Sequence, residues 1–258
     1  MQDTQSLPDD RGVAIDQVGI CDLAYPVRVP HPTMGTSATV GRFTMSVDLP
    51  ASQKGTHLSR FVEVLHEHES ELSVASLPAL VEHLRRRLHA RTARVEVRFD
   101  YFLERAAPVT GKKGLMHYEC TFAGEVSDAT REIRFGVKVP VTTLCPCSKA
   151  ISDYGAHNQR SYVTLLVRTT DPPVPLERLV DVVESSASSP VYPVLKRPDE
   201  RHVTMHAYDN PAFAEDVVRN VAVKLREDKR IGWFRVHVEN IESIHNHNAF
   251  STIEWKRG

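Results

Sequence analysis

A period of two constrains this chain more than any other feature. In ARVEVRFDYFLE (93–104) apolar and polar residues alternate. Successive side chains of a strand point to opposite faces, so such a segment buries one face and wets the other. The same alternation marks RFTMSVDL (42–49), GLMHYECTFAGEV (114–126), REIRFGVKVPV (131–141), SYVTLLVRT (161–169), WFRVHVENIES (233–243) and AFSTIEW (249–255). A weaker strand is expected over 23–29.

Between these strands the period lengthens to that of a helix. The pattern predicts helices over 59–68, 77–90, 175–187 and 212–228. In the first, Phe61, Val62 and Leu65 share a face and Ser59 is placed to cap. In the second, Ser76 precedes a first turn that contains Pro78, where a missing N–H costs nothing. The fourth follows Asn210-Pro211, a start signal.

In chain order the elements read ββααββ twice, over 18–128 and 129–258, after a polar tail at 1–17 that is expected to be disordered. The expected class is α+β. Each module carries a four-stranded antiparallel sheet with helices on one face. Each sheet has two edges that must be covered or paired, and a closed oligomeric barrel would do this.

The chain has 258 residues, with 32 Lys plus Arg against 33 Asp plus Glu, a net charge of -1. That balance argues against bulk nucleic acid or an anionic membrane as the main partner. No apolar run reaches the ~18 residues of a membrane span. The opening MQDTQSLPDDRG lacks the apolar core of a signal peptide. Four cysteines without a secretory signal do not form a disulfide framework, so a reducing cytoplasm is expected.

Four stretches could carry chemistry. LCPCSKAISDYGAHNQR (144–160) holds Cys145, Cys147 and His157. Cys-x-Cys is tighter than the C-x₂-C of structural zinc sites. One reading gives Cys145 and His157 to a metal, with Cys147 packed nearby. The other buries both cysteines as small hydrophobes. The run 193–220 holds Asp199, Glu200, Asp209, Glu215 and Asp216 with His202 and His206. Carboxylates there either favour a helix N-terminus or supply a metal ligand and a grip on a base edge. SIHNHNAFS (243–251) sets His245 and His247 two apart between strands, as turn residues or as proton carriers near neutral pH. QKGTHLSRF (53–61) brings Lys54 and Arg60 to a helix start, either solvated or holding phosphate oxygens.

The words KGTHLSRF, VPVTTLCPCSKAISDYGAHNQRS, LKRPDERHVTMHAYDNPAF and ESIHNHNAFS together resemble the prokaryotic type IB GTP cyclohydrolases. The resemblance runs from about residue 18 to the C-terminus, and CPCSK followed by YGAHNQR is its most specific part. It implies a bimodular tunnelling fold (T-fold) closed into barrels by a homotetramer, with active sites at subunit interfaces. It implies conversion of GTP and water to 7,8-dihydroneopterin triphosphate and formate, the first step of tetrahydrofolate biosynthesis. Cys145, His157 and Glu200 match the metal ligands, and Glu215 matches the glutamate that anchors guanine. Cys145, His245 and His247 fall in the catalytic motifs. Lys54 and Arg60, with Lys149, Arg160 and Arg197, are candidates for the triphosphate. A shell of one thiolate, one imidazole and one carboxylate discriminates metals loosely, so Mn²⁺, Zn²⁺ or iron is expected. The related NADPH-dependent nitrile oxidoreductase of queuosine synthesis, which shares the fold and needs no catalytic metal, is the competing enzyme. A binding protein with a structural metal is the non-enzymatic alternative.

Overall fold

A computed structural model describes residues 5, 7–68, 71–170 and 172–258. Part of the tail expected to be disordered at 1–17 therefore lies outside the described residues; its described part is ordered in two places, a bridge between Pro8 and Gln53 and the start of β1 at Ile15, which pairs with Leu49. The elements are β1 (Ile15–His31), β2 (Gly35–Leu49), α1 (Ser59–Glu67), α2 (Leu77–Arg87), β3 (Thr92–Ala106), β4 (Lys113–Ser127) and β5 (Arg131–Leu144). After them come α3 (Pro146–Ile151), β6 (Asn158–Thr169), α4 (Leu176–Glu184), β7 (Ser189–Pro190), α5 (Arg197–Asp209), α6 (Ala214–Glu227), β8 (Ile231–Asn240) and β9 (Ala249–Lys256). The class is α+β, as the alternation requires. The chain divides into two compact units, residues 1–100 with 121–135, and residues 101–120 with 136–258.

In the first unit β1 and β2 form a long antiparallel hairpin, turned at Gly35 with φ +71, a conformation open to glycine at no steric cost. β1 is far longer than the strand expected at 23–29. Two register shifts interrupt it, and Asp22 takes a positive φ at the second. These bulges break the strict alternation, which hid the strand in the sequence. β2 pairs with β3, and their inward residues Phe43, Met45, Val47, Val95, Val97 and Phe99 are buried. α1 buries Phe61, Val64 and Leu65, and α2 buries Leu77, Leu80, Val81 and Leu84. Ser59 does not cap α1, because it is already the first helical residue. Ser76 turns its hydroxyl to Glu71 O and Ser73 N instead of to α2.

In the second unit β6 pairs with β8 and β8 with β9, both antiparallel, while β7 pairs with β5. α4 buries Leu179, Val180, Val182 and Val183, and α6 buries Val217, Val218, Val221 and Leu225. The first six elements run ββααββ. The second half of the chain adds α3, β7 and α5, which periodicity did not predict. The reason is clearest in α5, which buries only Asp199 and Ala207 and so has no apolar stripe.

Polar anchoring holds α5 instead. Asp199 is fully buried and accepts hydrogen bonds from Val109 N and Thr110 N at 2.9 Å, Thr110 Oγ1 at 2.7 Å and Lys196 N at 2.9 Å. Four donors on one carboxylate hold its pKa well below the usual carboxylate range, with the Thr110 hydroxyl the strongest of them, against the opposing effect of burial. No helix is long and apolar enough to cross a membrane among the described residues.

Candidate active site

Cys145 is the N-cap of α3 and Pro146 its first residue. The Cys145 Sγ accepts a hydrogen bond from Ser148 N at 3.4 Å. The Ser148 hydroxyl donates to Cys145 O at 3.1 Å and accepts from His157 N at 3.2 Å. Cys145 N in turn donates to His157 O at 3.1 Å. Ser148 and the backbone thus fasten the cysteine to the histidine twelve residues away. Cys145 is half-buried, while Cys147 is exposed. Neither is a buried hydrophobe, and Cys147 does not pack into this site.

A cavity of about 280 Å³ opens here, and its lining includes Cys145, His157, Gln159, Glu215, His245 and His247, together with Asn240 and Glu242. Five of the candidate residues from three separate stretches therefore meet in one place. Glu215 lies in the first turn of α6. Its neighbour Asp216 is committed to that helix, accepting from Phe213 N at 3.0 Å. The two carboxylates have divided their work: one caps and the other faces the cavity. His245 and His247 stack with ring centroids 5.2 Å apart in the loop between β8 and β9.

The remaining candidates lie elsewhere. Glu200 is exposed on α5 and does not line the cavity. Its carboxylate has no hydrogen-bond partner among the described residues, in contrast to adjacent Asp199. Lys149 donates to Tyr208 O at 2.5 Å and sits 4.2 Å from the Tyr208 ring centroid, which ties α3 to the end of α5. Lys54 and Arg60 belong to the first unit. There Arg60 lines a separate, cation-rich cavity of about 460 Å³ with His83, Arg86, Arg87 and His89.

Cys145 and His157 offer a thiol and an imidazole to the same cavity, which fits two positions of a mixed-donor divalent site. No group of three His, Cys, Asp or Glu side chains placed to hold an ion occurs among the described residues. Sequence reasoning missed Gln159, Asn240 and Glu242. Gln159 and Asn240 carried a signal, because they are polar residues at inward positions of alternating strands.

Solved structures of similar fold include the uricase from Arthrobacter globiformis, with TM-score 0.54 and 10% identity over 94% of this chain and 93% of that one. A mutant urate oxidase from Bacillus sp. TB-90 gives TM-score 0.55 and 10% identity over 94% and 100%. These likenesses concern the fold. Sequence relatives are much nearer. The GTP cyclohydrolase FolE2 of Methylococcus capsulatus is 53% identical over 98% of this chain and 94% of its own length. That of Nitrosococcus oceani is 50% identical over 98% and 95%, and that of Halorhodospira halophila 49% over the full length of both. Nothing among them supports the nitrile oxidoreductase. The family described as type I GTP cyclohydrolase folE2 matches residues 1–251, and this chain belongs to that family.

Proposed function

We propose that this chain is a type IB GTP cyclohydrolase, converting GTP and water to 7,8-dihydroneopterin triphosphate and formate in the cavity of Cys145, His157, Glu215, His245 and His247. The convergence of these five side chains on one cavity carries the reading. Glu215 accepts hydrogen bonds from guanine N1–H and the 2-amino group. Adenine lacks that donor pair, so ATP leaves a carboxylate unpaired and is rejected. Cys145 and His157 would hold Mn²⁺, Zn²⁺ or iron, and Glu200, which does not line this cavity in the single chain, would join them as third ligand only in the assembled oligomer. The chemistry such an ion would supply when bound is Lewis-acid activation of water for attack on guanine C8. Opening the imidazole ring, releasing formate and closing the pterin ring then require several proton transfers. In this reading His245 and His247, stacked at the cavity, carry them, since imidazole exchanges protons near neutral pH.

A cavity of about 280 Å³ is small for a nucleoside triphosphate, because small-molecule clefts run from roughly 300 to 1,000 Å³. A second copy of the chain completes it in this reading. Among the described residues β1 and β9 each pair with one neighbouring strand, which leaves edges for that assembly. The oligomer is a homotetramer of the bimodular tunnelling fold, and Lys54 and Arg60 hold phosphate oxygens. Its compartment is the reducing cytoplasm, where four free cysteines remain thiols.

The test is Glu215→Ala assayed with GTP. A fall of roughly 100-fold or more in kcat/KM is expected from losing the paired acceptor. Unchanged kcat/KM would remove Glu215 from the guanine site.

A further inference from the structure

Three strands of the second unit change character at the same end. Along β5 the buried inward residues are Val137, Val139 and Val141, and then Thr143. Along β8 they are Phe234, Val236 and Val238, and then Asn240. β6 begins with Gln159 and Ser161 before Val163, Leu165 and Val167. Thr143 and Ser161 are 0% exposed, Asn240 4% and Gln159 8%. Four polar side chains in a core are costly unless every one is hydrogen-bonded.

They are bonded to one another in a single line. Gln159 Nε2 donates to Thr143 Oγ1 at 2.9 Å. Thr143 Oγ1 and Ser161 Oγ lie 2.8 Å apart, and Ser161 Oγ donates to Asn240 Oδ1 at 2.7 Å. Ser161 has one proton and gives it to Asn240, so Thr143 must give its own to Ser161. The Gln159 amide is thereby oriented with Oε1 toward His157, whose Nδ1 lies 3.2 Å away. An amide oxygen only accepts, so Nδ1 carries the proton. His157 has a second, longer contact through the same nitrogen, to Ser243 Oγ at 3.4 Å. The far end of the line also matters. Asn240 pairs with Ala249 across the base of the loop that bears His245 and His247.

We propose that Gln159 is a positioning residue which, oriented by Thr143, Ser161 and Asn240, holds His157 as its Nδ1–H tautomer and so reserves Nε2 as the electron-pair donor at the cavity. A histidine that ligates through one nitrogen is fixed by the hydrogen bond the other makes. The use of Nε2 toward a metal rests on the reading of His157 as a ligand. The tautomer itself does not.

The experiment has two readouts besides turnover. Chelator-treated protein with ¹⁵N-labelled histidine is examined by NMR near pH 8, where free imidazoles are neutral, and the His157 signals are identified by their loss in His157→Gln. Co²⁺ is then titrated while its thiolate charge-transfer absorption is followed. Wild type is expected to show His157 protonated at Nδ1. Gln159→Met removes both bonds at similar volume and is expected to mix the tautomers and weaken Co²⁺ binding by about 10- to 100-fold. Gln159→Glu keeps the acceptor facing His157 and is expected to restore both within a few-fold. Thr143→Val interrupts the line one bond further away and serves if Gln159 variants fail to fold. Its expected signature is the same mixing of tautomers. A wild-type His157 protonated at Nε2 overturns the proposal, as does Gln159→Met or Thr143→Val with the wild-type tautomer. Wild-type protein with the Nδ1–H tautomer but no thiolate–Co²⁺ band upholds the positioning role and instead refutes Cys145 as a metal ligand.

Discussion

Two pairs of adjacent carboxylates show how neighbouring residues of the same chemistry take different work. Asp199 and Asp216 use their oxygens on backbone N–H groups at the starts of α5 and α6. Glu200 and Glu215, one residue away, keep theirs free of hydrogen-bond partners among the described residues. A carboxylate committed to backbone donors is part of the fold, and its removal should appear as lost stability before lost chemistry. Asp199→Asn keeps the shape but replaces one acceptor oxygen with a donor facing Lys196 N and Thr110 Oγ1. Its Tm is expected to fall by several degrees at pH 7. The pH dependence has a definite sign. The folded pKa of Asp199 lies below its unfolded value, so its contribution is fully present above about pH 4 and fades as pH drops further. The Tm gap between wild type and Asp199→Asn should therefore be widest near neutrality and shrink below about pH 4, as thermal melts across pH would show. A gap that widened in acid would contradict the hydrogen-bond assignment.

At the scale of elements, period-two alternation made most strands legible, because half-buried strands write their inward face into the sequence. The apolar stripes of α1, α2, α4 and α6 were equally plain. α5 was not, since its anchor is a buried aspartate and not a stripe; Pro198 in its first turn and the acidic Asp199 and Glu200 were the available start signals. In the site, Cys145, His157, Glu215, His245 and His247 were legible through their motifs. The line from Gln159 to Asn240 was not, because each member is an ordinary polar residue until the strand register puts them together. Close approach of backbones is also written by single residues. A Cβ on Gly136 would stand 1.8 Å from Leu165 O, a distance that no side-chain rotation relieves. Gly136→Ala is expected to force β5 and β6 apart, giving insoluble protein or a Tm lower by about 10 °C or more. A melt within a degree or two of wild type would show that the strands can separate at little cost.

For the whole molecule, family membership and cavity geometry bear on different questions. Membership speaks through relatives near 50% identity along the chain, and geometry identifies which side chains of this chain meet. The proposed completion of the site by further copies predicts a particle of about four times the 29.0 kDa chain, readable by light scattering. The most direct measurement is pterin formation, followed by fluorescence after oxidation, from GTP and from ATP. Chelator-stripped wild type and Cys145→Ala would each be assayed with Mn²⁺ or Zn²⁺ restored. Metal-dependent product from GTP alone in wild type, and none from a folded, oligomeric Cys145→Ala, is the expected result. Product from Cys145→Ala at the wild-type rate would contradict the placement of the chemistry at this cavity.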